Sequence, residues 1–70
     1  MTKQLTDWDK QIIAEMEQSI ATVQACLDAG PNVGDRYRPA IGDARPQTKE
    51  YWEADIATTR GWIANIIANA

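Results

Sequence analysis

Seventy residues with seven basic and ten acidic side chains, a net charge of −3, leave room for one domain and little spare core. The acidic balance disfavours nucleic acid as a partner, because neutralising phosphates requires clustered Lys and Arg. One cysteine and no histidine exclude an intrachain disulfide and leave no zinc site, so neither metal nor cofactor is expected.

The hydrophobic share of 44% against 24% charged residues fits a folded domain rather than a disordered chain. No stretch approaches the roughly 18 uninterrupted apolar residues of a membrane span. The opening Met1 to Asp7 lacks the apolar centre of a signal peptide, and the lone Cys26 suits a reducing compartment. A cytoplasmic location is the expectation.

The first predicted helix covers about residues 6–29. Thr6 is placed to cap it, with Asp9 three positions on as the partner in an Asp version of the capping box. Trp8, Ile12, Met16, Ile20, Val23 and Leu27 then recur at steps of three and four, one stripe on a 3.6-residue helix. Ala29-Gly30-Pro31 ends it, since Gly accepts the positive φ of a helix end and Pro cannot continue the helix.

The second predicted helix covers about residues 46–69, opening at Pro46 or capped slightly later by Thr48. Trp52, Ile56, Ile63, Ile66 and Ile67 form its apolar face, with Thr59 in the gap. Trp62 and Tyr51 lie off that line. Gly61 either admits a close helix neighbour or merely softens the helix.

Two helices alone leave every buried side chain open on one side. The expected architecture is therefore all-α: an antiparallel helical hairpin that pairs with a second copy into a four-helix bundle. Trp8, Ile12, Met16, Ile20, Trp52, Ile56, Trp62, Ile63, Ile66 and Ile67 are the expected core and dimer residues. Trp62 is assigned to the dimer seam rather than to an outer partner-binding face.

The connection between the helices, about residues 30–45, is longer than bundle loops usually are. It holds three of the four glycines, two of the three prolines and a local charge of +1 from three arginines against two aspartates. Arg36, Tyr37 and Arg38 are the candidate partner-binding residues, because Arg and Tyr present large, directional contact surfaces. Arg45 and Tyr51 extend the patch. The competing reading packs Tyr37 back onto the bundle and pairs the arginines with Glu15, Glu17 or Asp28.

No catalytic site emerges, and an enzyme is not expected. Ser19, Thr58 and Thr59 have no histidine to act as base. Glu15 and Glu17 are two apart and do not share a helix face. The segment from Gly30 to Arg36 lacks the Gly-Lys-Ser/Thr of a phosphate-binding loop. Cys26 reads as a small core residue.

An acidic first helix, a Gly/Pro/Arg loop and a Trp/Ile-rich second helix within 70 residues resemble the small helical-hairpin host-takeover proteins encoded by bacteriophages. The build is most similar to phage anti-activators that block quorum-sensing regulators. The resemblance implies a homodimer in a bacterial host cytoplasm that occludes the DNA-binding region of a LuxR-type transcription regulator, or a comparable target such as a pilus motor ATPase. It carries no binding residues over to this chain. A structural or assembly-chaperone role is the alternative, and a nucleic-acid binder ranks below both.

Overall fold

The computed structural model describes residues 4–69. The first three residues, on which the reading of the N-terminus partly rests, lie outside that range. The described chain is two helices joined by a folded connection, with isolated backbone bridges and no β-strand.

The first helix, α1, spans Asp7–Ala29. Its start is the capping box read from Thr6 and Asp9. The Asp9 amide donates to the Thr6 hydroxyl at 3.0 Å, and the Thr6 amide donates to the Asp9 carboxylate at 3.2 Å. Two otherwise orphaned amides are thereby satisfied, and the acids of the first turn face the positive end of the helix. At the other end Gly30 takes a φ of 98°, which side-chain-bearing residues rarely adopt, and its amide donates to the Leu27 carbonyl at 3.3 Å.

The second helix, α2, spans Lys49–Ala68. It starts at Lys49 rather than at Pro46. Thr48 is the cap, its hydroxyl accepting from the Tyr51 amide at 3.2 Å. The reason for the late start lies outside the segment. Gln47 exchanges both of its backbone hydrogen bonds with Tyr37, at 2.8 and 3.0 Å, and this pairing holds residue 47 out of the helix. Asn69 closes α2, its amide donating to the Asn65 carbonyl at 3.0 Å.

The helices run antiparallel. Asp9 and Met16 of α1 share a groove with Trp62, Ile66 and Asn69 of α2, while Gln24 sits beside Glu53 and Ile56. The molecule is a rod of 52 × 18 × 18 Å. No helix among the described residues is long and apolar enough to cross a membrane.

The core is not centred in this rod. Val23, Trp52 and Ile56 are buried together, and Ile20, Leu27, Tyr37, Ile41 and Ala44 pack against them. Three of those five supporting residues belong to the connection. It therefore serves as a third wall at one end of the hairpin, the part that two helices cannot supply alone. Farther along, Ile63 is buried, while Ile12, Met16 and Ile66 are half-covered. Trp8, Trp62 and Ile67 remain 69%, 60% and 53% exposed. The apolar residues expected to serve the core and the dimer thus divide, within this chain, into a sealed end and an open end. Gly61 has no atom within 4 Å of where a Cβ would stand, so it marks no close helix approach within the chain.

Candidate functional site

The arginine-bearing connection is built from two short backbone devices and one side-chain clamp. Val33 and Arg36 exchange backbone bonds at 2.9 and 3.1 Å, forming a two-residue turn over Gly34 and Asp35. Gly34 stands at the first central position with a φ of 63°, as a two-residue hairpin turn with a leading glycine requires. The chain then runs through Arg36, Tyr37 and Arg38 and pairs Tyr37 with Gln47.

Asn32 holds the return stroke. Its amide nitrogen donates to the Arg38 carbonyl at 2.9 Å, and its side-chain oxygen accepts from the Arg38 amide at 2.8 Å. The Asn32 side chain thus mimics a strand partner, satisfying both backbone groups of the residue it fixes. The same nitrogen lies 3.8 Å from the Cys26 sulfur, so the clamp rests on α1. Asn32→Ala is expected to cost about 1–2 kcal/mol, lowering the melting temperature by about 5–15 °C. It is also expected to speed tryptic cleavage after Arg36. Arg38 and Arg45 are each followed by proline, a bond trypsin does not cut. An unchanged melt and digestion rate would show that the clamp contributes nothing.

A third tie comes from α2. The Trp52 indole N–H donates to the Tyr37 carbonyl at 2.7 Å, satisfying a group that two packed helices would otherwise leave dry. Tyr51 meets Trp52 edge to face, with ring centroids 5.1 Å apart and planes at 88°.

These ties separate the residues singled out from the sequence. Tyr37 is half-buried against the core, in line with the inward-packing reading of its ring. Arg36 and Arg38, its neighbours on either side, are exposed, as alternation along extended backbone dictates. Arg45 is exposed on the returning segment that carries Gln47, and Tyr51 is 50% exposed in the first turn of α2. The connection therefore carries Arg36, Arg38 and Arg45 on two segments paired through Tyr37 and Gln47, and Tyr51 follows on the adjoining helix.

Asn32, Gln47, Ile41 and Ala44 were not singled out from the sequence, yet they position this surface. Only the glycine-led turn at Val33 to Arg36 had a local signal. Among the described residues, no buried side-chain nitrogen or oxygen lacks a hydrogen-bond partner, and no group of three or more His, Cys, Asp or Glu is placed to hold a metal ion.

No protein-family model, curated protein or solved structure matches the chain.

Proposed function

We propose that this protein is a non-enzymatic protein–protein interaction module, a homodimeric helical hairpin that inhibits a host regulatory protein in the manner of an anti-activator. A LuxR-type transcription regulator in a bacterial cytoplasm is the target class that the build suggests. Arg36, Arg38 and Arg45 are the contact residues, with Tyr51 at the margin. Tyr37 positions the two arginines beside it rather than meeting the target.

One observation carries this reading. The segment bearing Arg36 and Arg38 is tied down by Asn32, Gln47 and Trp52, yet both arginine side chains remain exposed. The ties that make the connection the third wall of the core also fix the backbone from which Arg36 and Arg38 project. A surface ordered before binding loses less entropy when a partner arrives. Its local charge of +1, in a chain of −3, suits an acidic partner surface.

The test is the double variant Arg36→Ala/Arg38→Ala, with Tyr37 left in place to preserve the packing. In bacteria carrying a quorum-sensing reporter, wild-type protein is expected to depress the signal and capture the regulator in a pulldown. The double variant should retain its helical spectrum and lose affinity by about tenfold or more for each arginine, the cost expected of hot-spot residues. Equal reporter repression and equal capture by the variant would remove these arginines from the proposal.

A second reading has one observation in its favour. The most exposed large apolar side chains, Trp8 and Trp62, lie on the helices and not on the arginine surface. In a structural or assembly role the helices alone would act, and the double arginine variant would be fully active.

A further inference from the structure

We infer that the second copy docks along one flank of the open end, formed by Trp8 and Ile12 of α1 and by Trp62 and Ile66 of α2. This deepens the dimeric reading above and rests on it.

The same local pattern occurs three times in the chain. Trp8 and Ile12, Trp52 and Ile56, and Trp62 and Ile66 are each a tryptophan followed four residues later by an isoleucine. That spacing stacks the two side chains on one helix face. Their fates differ. Trp52 and Ile56 are 6% and 5% exposed, because Tyr37, Ile41 and Ala44 pack on the cluster they form with Val23. At the other end no connection among the described residues folds over the helices. Trp8 and Trp62 stay mostly exposed, with Ile12 and Ile66 half-covered beneath them.

Helical phase assigns the two uncovered pairs to the same side of the rod. At about 100° per residue, Trp8 and Ile12 are rotated off the line through Val23 that faces α2. Trp62 and Ile66 are rotated in the same sense off the line through Trp52, Ile56 and Ile63. For antiparallel helices, equal senses of rotation lead to one flank. Trp62 and Ile66 there line an open groove of about 440 Å³ with Asn65 and Asn69 of α2 and with Asp9 and Met16 of α1, and Trp8 and Ile12 lie outside its lining. Ile67 is rotated the other way and lies on the opposite flank.

The area argues for a partner of this size. A compact monomer of 7.8 kDa is expected to expose about 4400 Å². This chain exposes 5268 Å². The surplus of roughly 900 Å² is close to the ~800 Å² that each partner buries in a standard interface. A two-fold axis through the flank sets the tryptophan pairs of one copy against those of the other, so a single patch supplies both halves of the contact.

Sedimentation equilibrium of the full chain from 1 to about 100 µM tests this, since a standard interface dissociates in or below that range. Wild type should be dimeric, Ile67→Lys should stay dimeric, and Trp8→Lys/Trp62→Lys should be monomeric with the dissociation constant raised at least 100-fold, roughly 3 kcal/mol. Should the lysine variant lose its helical spectrum, photocrosslinking decides. A benzophenone side chain replacing Trp62 should give covalent dimers, and one replacing Ile67 should not. A dimeric wild type whose Trp8/Trp62 variant is also dimeric, or that crosslinks from position 67 alone, overturns this seam and leaves the dimer standing. A wild type that is monomeric throughout overturns both.

Discussion

Trp52→Ala is expected to abolish the folded hairpin. The indole is the largest member of the cluster that also holds Val23 and Ile56, and truncating a buried tryptophan to alanine costs about 3–5 kcal/mol. The same change removes the donor that reaches the Tyr37 carbonyl at 2.7 Å; that carbonyl keeps its bond from the Gln47 amide, so the lost hydrogen bond adds about 0.5–1.5 kcal/mol. A 70-residue chain at about 0.05–0.15 kcal/mol per residue has only about 4–10 kcal/mol in total. The combined loss therefore takes most or all of it. Circular dichroism should show a largely unfolded chain at room temperature. Trp52→Phe separates the two contributions, because it keeps most of the packing and loses the bond. It should remain folded and melt lower by about 5–15 °C. If Trp52→Ala melts cooperatively within a few degrees of wild type, the sealed end is not what holds the hairpin together.

Val23→Asp should be equally severe for a different reason. Val23 is 1% exposed, the most completely enclosed side chain in the core. A carboxylate there has no partner and cannot reach water, so the penalty is several kcal/mol on top of the lost apolar contacts. Val23→Ala removes only the contacts and is expected to cost about 2 kcal/mol. Ala25→Asp, two residues on at an exposed position of the same helix, should change stability by no more than about 0.5 kcal/mol. Denaturant titration of the three variants should therefore rank them in that order. Equal midpoints for Val23→Asp and Ala25→Asp would contradict the enclosed environment of Val23.

The helices were legible in the sequence to the extent that their causes are local. Thr6 with Asp9, and Gly30 with Pro31, fix the two ends of α1 through contacts no more than a few residues apart. The start of α2 was less legible, because the bonds that hold Gln47 extended come from Tyr37, ten positions away. Periodicity placed Trp8, Trp52 and Trp62 on equal terms. It could not say that the connection would seal one of them and leave two uncovered.

The same division runs through the candidate site. The exposure of Arg36, Arg38 and Arg45 follows from charge alone, and their grouping on one connection was visible in the chain. The inward turn of Tyr37 was not, since it depends on which side of an extended segment meets the core. Asn32 was invisible for a related reason. Its side chain clamps Arg38 only once the turn over Gly34 and Asp35 has doubled the chain back, and nothing adjacent to Asn32 foretells that geometry.

A rod sealed at one end and bare at the other has a gradient of order along its length. Amide protection should be greatest near Val23 and Ile56 and decline toward the first turn of α1 and the last turn of α2, where no third wall among the described residues resists fraying. Two remote neighbourhoods of one short chain would then answer to different influences. The bend is secured by the chain's own contacts, while under the proposed pairing the firmness of the far tips would rise with the amount of protein in solution.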